Sequence, residues 1–314
     1  VATAPHVPVL LQECLAWLEI QPAGTYVDCT AGAGGHAEAI ASRLVAGGRL
    51  IALDRDLSAV KLATARLAAY PGARVEHAPY GQLNSVLDRL GVAEIDGALI
   101  DAGCSSMQLD LPERGFSFQN DGPLDMRMDT STGESAAQLL ARLDIDEIAE
   151  ALTTYGDVPY AGRIAKAIAT RASGGRLERT GDLVAAVKEA LPHVKGIPDE
   201  VRTVFQAVRI AVNGELAELE AGARNALARL HPGGRLAVIT FHSGEDRVIK
   251  DFFREVSRNQ IERWPDGRTK HKQPPVAKLL TSKPVLPSQE EMRRNPRSKS
   301  AKLRAVERLP RTED

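Results

Sequence analysis

Within the first hundred residues, short apolar runs alternate with amphipathic stretches of helical length, and this alternation restricts the chain to few folds. Tyr26–Cys29, Arg49–Leu53, Arg74–His77 and Gly97–Ile100 read as strands. Helical periodicity runs through His36–Leu44, Ser58–Tyr70 and Leu83–Leu90 between them, and through Leu10–Leu18 ahead of the first. Strands separated by helices cannot join as tight hairpins, so the pattern implies βαβ units and a mainly parallel α/β sheet.

The alternation stops after the fourth strand. From Met107 to about Val201 there is no strand signal, and Glu134–Leu140, Ile145–Thr154, Tyr160–Ala172 and Gly181–Leu191 read as helices. Gly156, Gly174-Gly175 and Pro192 punctuate them. The α/β pattern then resumes with a long helix, Glu215–Leu230, a strongly apolar strand, Arg235–Phe241, and a helix, Asp246–Val256. The economical reading is one α/β domain split by a helical insertion: a core first part over 1–106, an inserted helical domain over 107–201, and a core second part over 202–314. The proline-bearing last forty residues show little periodicity and read as a tail.

Composition narrows the function. The formal net charge of −1 conceals an uneven distribution. From Val256 onward fifteen Lys and Arg stand against seven Asp and Glu, whereas the remainder holds twenty-five basic and thirty-four acidic residues. A basic C-terminal region on an acidic body suits a polyanion, although a solvated tail would look the same. Cys14, Cys29 and Cys104 have no metal-ligand spacing, the seven histidines form no H-x-x-x-H pattern, and no metal is expected. No apolar run reaches membrane-spanning length and no secretory leader opens the chain, so a reduced, cytoplasmic enzyme is expected.

The first strand runs into Asp28-Cys29-Thr30-Ala31-Gly32-Ala33-Gly34-Gly35-His36. Glycines just past a strand let a ligand approach the backbone and open a helix N-terminus, though a tight turn alone would also use them. The spacing is G-x-G-G rather than the dinucleotide G-x-G-x-x-G, and no P-loop lysine follows. Asp54 ends the second strand about twenty residues on, where a carboxylate can accept both hydroxyls of an adenosyl ribose. Asp101 ends the fourth strand, at the edge where open α/β sheets bind ligands. Asp28 is placed to orient the glycine loop or to meet a cationic cofactor group. Tyr80, just after the third strand, can flank an adenine ring or simply pack.

These segments closely resemble the bacterial 16S ribosomal RNA cytosine-N4 methyltransferases. The resemblance rests on His6–Leu11 (HVPVLL), Thr30–His36, Asp101–Asp129, Thr203–Leu216 (TVFQAVRIAVNGEL), Ile239–Arg247 (ITFHSGEDR) and the tail Asn295–Leu309. Its most specific block is Arg114–Met128 (RGFSFQNDGPLDMRM), which no general fold rule demands. The resemblance implies a Rossmann-like class I methyltransferase core with a helical substrate-recognition domain between strands four and five. It also implies S-adenosylmethionine as cofactor, contacted by Gly34, Gly35, His36, Asp54, Tyr80, Asp101 and Gln108. His36 and Gln108 come from the resemblance alone. The chain departs from the family pattern at Ala102, Cys104, Gly214 and Gly244, where a larger aliphatic residue, valine, a polar or acidic residue and leucine are usual.

Methylating an exocyclic amine requires the amine to be aligned with the methyl group and its hydrogens to be accepted. Asp101, Ser105 and Ser106 lie on the loop expected to do this; alternatively Asp101 only binds cofactor and the serines cap a turn. A rival chemistry is C5 methylation of cytosine, with Cys104 as the nucleophile. Asp101-Ala102-Gly103-Cys104-Ser105 resembles the D-A-P-C-S loop of such enzymes, but glycine replaces the proline and their second cysteine loop has no counterpart. A non-enzymatic RNA-binding protein is a third reading, opposed by the acid-tipped strands and the glycine loop. The expected partner is 16S ribosomal RNA, within the small ribosomal subunit. Candidate RNA contacts are Arg114, Phe116, Phe118, Arg127, His242 and Arg247. Arg297, Lys299 and Lys302 join them from a stretch, Arg293–Arg304, with six basic residues in twelve.

Overall fold

The computed structural model describes residues 8–263 and 269–310, so His6 and Val7 of the HVPVLL segment lie outside the described residues. Two compact units are present: residues 1–103 with 216–314, and residues 104–215. In chain order the elements are α1 (Leu11–Leu18), β1 (Thr25–Asp28), α2 (Gly35–Ala41), β2 (Arg49–Asp54), α3 (Leu57–Leu67), β3 (Ala73–His77), α4 (Leu83–Arg89) and β4 (Ile95–Asp101). Then come α5 (Ser106–Asp110), α6 (Ala136–Arg142), α7 (Ile145–Gly156), α8 (Ala161–Ser173), α9 (Thr180–Ala190) and α10 (Glu200–Asn213). The last are α11 (Glu215–Arg229), β5 (Leu230–Thr240), α12 (Ser243–Val256), β6 (Gln260–Arg263), β7 (Thr269–Gln273), β8 (Ala277–Leu279), α13 (Gln289–Arg294) and β9 (Lys302–Arg308).

The first unit is built on a seven-stranded sheet in the order β3-β2-β1-β4-β5-β9-β8, while β6 and β7 form a separate antiparallel pair. β1 to β5 are mutually parallel, and β9 enters antiparallel beside β5. The strands alternate their side chains between two cores, as period-2 geometry requires. Val27, Ile51 and Leu53 face one layer with Leu83 and Leu87 of α4, Leu219 and Ala223 of α11, and Ile249 and Phe253 of α12. Tyr26, Leu50 and Ala52 face the other, with Leu15 of α1, Ile40 of α2 and Ala63 of α3. This is the Rossmann-like α/β architecture expected from the sequence. The strand order reverses between β1 and β4, which opens a ligand crevice at their carboxyl ends.

The second unit is helical. Leu140, Ile148, Leu152, Ile164, Ile168, Leu183 and Val187 form its core together with Val201, Val204 and Phe205 of α10. Reciprocal capping boxes start α6 (Ser135 with Gln138) and α7 (Asp144 with Glu147). The helical unit runs to Glu215, so α10 belongs to it, whereas the sequence pattern placed residues from 202 in the second part of the core. The apolar face of α10 decides this: its Val201, Val204 and Phe205 are buried among the other helices of the insertion.

The C-terminal residues also differ from expectation. They carry β8, α13 and β9 in place of an aperiodic tail. Leu303, Ala305 and Val306 are fully buried, and β9 pairs with β5 from Lys302 to Glu307. No described helix is long and apolar enough to cross a membrane.

Candidate active site

Three carboxylates stand at the carboxyl ends of adjacent strands: Asp54 on β2, Asp28 on β1 and Asp101 on β4. The β1 register, with Asp28 opposite Ala52 and Leu99, brings these ends together. Thr30 ties two of them: its hydroxyl accepts the Asp101 N–H at 2.7 Å, and its own N–H donates to Asp28 Oδ1 at 3.0 Å.

The glycine loop follows. Gly32 and Gly34 have positive φ, 52° and 81°, and Gly34 precedes the first turn of α2. A Cβ on Gly35 would lie 2.5 Å from Pro8 Cγ, so that glycine also permits close packing of the N-terminal segment. The Gly32 N–H donates to Asp54 Oδ2 and the Asp56 N–H to Asp54 Oδ1, each at 2.8 Å. Burial pushes the Asp54 carboxyl up to about 6, against those two hydrogen bonds.

Asp28 is fully buried and its Oδ2 has no hydrogen-bond partner. Burial raises its carboxyl to about 7, with the nearby Asp54 charge adding to the shift. Asp101 Oδ1 is likewise buried without a partner, and burial, then Asp28 and Glu245, hold its carboxyl well above the usual range. His36 is buried at the start of α2, with Nε2 2.9 Å from the Val9 carbonyl and Nδ1 3.6 Å from Asp101 Oδ2. Tyr80 is half-buried after β3, where Gly222 of α11 leaves room for its ring.

The structure therefore brings Asp28, Asp54, Asp101, Gly34, Gly35 and His36 to one end of the sheet. Sequence reasoning missed Thr30 and Glu245. Glu245 is buried, its Oε2 accepts the Phe241 N–H at 2.7 Å, and its Oε1 lies 3.2 Å from His242 Nε2. The spacing His242-x-x-Glu245, a cap followed by an acid at the third helical position, was the available signal. His242 caps α12, its Nδ1 accepting the Glu245 N–H at 3.3 Å, and Arg247 is exposed one turn further along.

The remaining candidates in the helical unit have structural partners. Ser105 caps α5 reciprocally with Gln108: the Ser105 N–H donates to Gln108 Oε1 at 2.9 Å and the Gln108 N–H to Ser105 Oγ at 3.3 Å. Ser106 begins that helix. The Arg114 guanidinium donates to the carbonyls of Arg127 and Met128, at 3.0 and 2.9 Å. Arg127 grips Asp125 through Nε and Nη2, both at 2.8 Å. Phe116 is buried, and Phe118 packs edge-on against Phe205. In the C-terminal segment Arg297 and Lys299 are exposed, whereas Lys302 lies 3.4 Å from Asp246 Oδ2. Arg304 is buried and donates twice to Asp246, at 2.8 and 3.2 Å, so it is a core ion-pair partner and not a phosphate contact.

Two buried carboxylate oxygens without partners, beside a glycine loop and a third strand-end carboxylate, suit a ligand with a cationic amino-acid part and an adenosyl part. Asp28 would face the former and Asp54 the ribose hydroxyls, with Asp101 beside them at the end of β4. Together with the sheet order, the site defines a Rossmann-like methyltransferase with S-adenosylmethionine as its cofactor. The model of the MraW methylase family matches residues 3–309, and the chain belongs to that family. It is 45% identical over 308 residues to the ribosomal RNA small subunit methyltransferase H of Azoarcus sp., covering 98% of each chain. It is 46% identical to the protein of the same name from Pelobacter propionicus, over 97% of this chain and 98% of that one. A third, from Caldicellulosiruptor bescii, is 40% identical over 97% of this chain and 99% of its own.

Proposed function

We propose that this protein methylates ribosomal RNA of the small subunit, at the exocyclic N4 amine of a cytosine in the decoding region of 16S RNA. The full-length likeness to proteins named ribosomal RNA small subunit methyltransferase H supports the RNA class. The observation that carries the amine is Asp101, whose buried Oδ1 lacks a partner at the end of β4. When bound, S-adenosylmethionine supplies a methyl group on a sulfonium, which needs no further activation. Asp54 holds the ribose, Asp28 and the glycine loop fix the amino-acid part, and Asp101 accepts hydrogen from the amine as it becomes pyramidal.

C5 methylation would need Cys104 as a nucleophile. The Cys104 thiol instead accepts a hydrogen bond from Arg209 Nη1 at 3.1 Å, and Arg209 is itself clamped by Glu215 at 2.8 and 2.9 Å. That environment favours a packed side chain. The helical unit and the exposed Arg297 and Lys299 serve RNA recognition in this reading, and action on the ribosomal subunit places the enzyme in the cytoplasm. Nucleoside mass spectrometry of 16S RNA from cells with and without the protein tests it. Loss of N4-methylcytosine is expected in cells lacking the protein; loss of 5-methylcytosine instead would overturn the N4 assignment.

A further inference from the structure

We propose that α11 builds a seat for Tyr80: Gly222 and Glu218 are positioning residues that hold its ring as a wall of the adenine pocket. The inference rests on the reading of Tyr80 as the ring that flanks adenine, and on geometry alone for the seat.

α11 has the sequence ELAELEAGARNALAR. Its Leu219, Ala223, Ala226 and Leu227 are buried in the core layer that also holds Leu83 and Leu87 of α4. Glu218, Gly222, Asn225 and Arg229 fall at i, i+4, i+7 and i+11, which sets them on one line along an adjoining face. Glycine in the middle of an alanine-rich helix lowers helix stability, and a close approach is the reason for one here. A Cβ at Gly222 would stand 2.4 Å from Tyr80 Cδ2, 3.2 Å from Cε2 and 3.4 Å from Cγ. One edge of the ring therefore rests on the helix backbone, and a side chain larger than hydrogen displaces it.

The residue after the ring is held at both of its backbone groups by the same face of α11. The Gly81 N–H donates to Glu218 Oε1 at 2.7 Å, and the Gly81 carbonyl accepts from Asn225 Nδ2 at 2.7 Å. A Cβ on Gly81 would lie 2.7 Å from Glu218 Oε2, so glycine at this position lets the carboxylate lie against the loop. Asn225 Oδ1 in turn accepts from Asn84 Nδ2 at 2.9 Å, and Arg229 Nε donates to Asn84 Oδ1 at 2.9 Å. The start of the segment is tied to β2, where the Ala78 N–H donates to the Asp54 carbonyl at 3.0 Å. The residue proposed to flank adenine and the one proposed to hold the ribose thus belong to one connected segment. A ring fixed before the ligand arrives offers its face to a purine with little further loss of side-chain freedom.

The test begins without cofactor, on full-length protein with 13C-labelled tyrosine. The chain has five tyrosines, and Tyr80 is assigned by its loss in Tyr80→Phe. Its ring signals should move in Gly222→Ala and in Glu218→Ala while those of the other tyrosines stay. Unmoved Tyr80 signals in both variants overturn the seat. In calorimetry Tyr80→Ala should weaken S-adenosylmethionine and S-adenosylhomocysteine alike by about tenfold or more, the equal loss marking the adenine they share and not the sulfonium. Gly222→Ala and Glu218→Ala should each weaken both ligands by about fivefold or more. Glu218→Gln, which keeps an acceptor for the Gly81 N–H, should stay within about threefold of the unmutated protein. In turnover the losses should fall on the KM for cofactor, with kcat at saturating cofactor within about twofold. Should Gly222→Ala fail to fold, Glu218→Ala against Glu218→Gln reads the same seat. Gly222→Ala combined with Tyr80→Ala should bind no more weakly than Tyr80→Ala alone, since no ring is left to displace; additive losses overturn the inference. Undiminished affinity in Tyr80→Ala overturns the adenine reading of Tyr80, while the tyrosine spectrum still decides the seat.

Discussion

The Asp54 carboxylate, at the end of β2, reaches back across the cofactor loop and accepts the backbone N–H of Gly32 at 2.8 Å. One side chain thus shapes the loop at φ 52° and, in the function proposed above, would present the acceptors for a ribose. Asp54→Ala removes both. It should weaken S-adenosylmethionine binding by about 1–3 kcal/mol, roughly five- to 150-fold, measured by calorimetry after exhaustive chelation. Unchanged affinity would separate Asp54 from the cofactor, and a loss of binding on chelation alone would revise the metal-free site.

How far the sequence reveals this site depends on what each residue touches. Asp28, Asp54 and Asp101 were legible because each ends an apolar strand, and strand ends are where open α/β sheets gather ligands. Thr30 accepts the Asp101 N–H and Glu291 accepts the Leu10 N–H, groups of other elements, and no local pattern records a partner 281 positions away; Glu245 left a local trace only as the acid of a helix cap. β9 was hidden for a related reason. Its Lys302-Leu303-Arg304-Ala305 reads as a solvated basic segment until Asp246 is seen to neutralise Arg304 inside the structure. Likewise the apolar face of α10 was visible only as a matching motif, and its burial with the other inserted helices moves the boundary to Glu215.

The pH response of the cofactor-free protein follows from Asp28, whose carboxyl lies near 7, and Asp54, near 6, both raised chiefly by burial. A carboxyl whose folded pKa is raised binds its proton more tightly when folded. Its stabilising contribution is complete below the unfolded pKa of about 4 and is lost as pH rises through the folded value. Thermal stability without cofactor should therefore fall between about pH 4 and pH 7 on account of these groups. Asp28→Asn, close in size and uncharged, should remove part of that slope. A melting series in which the variant and the unmutated protein keep the same slope would count against a titrating Asp28.

The basic C-terminal segment should divide into two kinds of residue. Neutralising Arg293, Arg297 and Lys299, all exposed, should weaken RNA binding and flatten its dependence on salt, because phosphate contacts release counterions. Arg304→Met should instead destabilise the fold, by ~3 kcal/mol, since it strands the Asp246 carboxylate in a half-buried pocket with only Lys302 nearby. Although burial opposes it, that pair holds the Asp246 carboxyl below its ordinary range, and the shift should disappear with Arg304. Denaturant titration and salt-dependent RNA binding separate the two effects. An unaltered salt slope in the triple variant would make the segment a structural one throughout.

Cys104 decides between the two chemistries open to a cytosine. Under N4 methylation the amine takes the methyl group directly, and the thiol accepts the Arg209 hydrogen bond at 3.1 Å without entering the chemistry. Cys104→Val deletes that weak acceptor, and because Arg209 remains clamped on Glu215 the loss should cost about 1 kcal/mol and leave substantial turnover. Cys104→Ser keeps an acceptor for Arg209 and should also turn over. Under C5 methylation both changes remove the nucleophile, and no covalent adduct with C6 of the base could form. Turnover must be measured beside cofactor affinity, since a variant that no longer binds S-adenosylmethionine reports misfolding and not chemistry. Two variants that fold and bind cofactor but transfer no methyl group, with 5-methylcytosine as the product of the unmutated enzyme, would overturn the N4 assignment. The structure leads to the opposite expectation: active Cys104→Val enzyme, and N4-methylcytosine as its product.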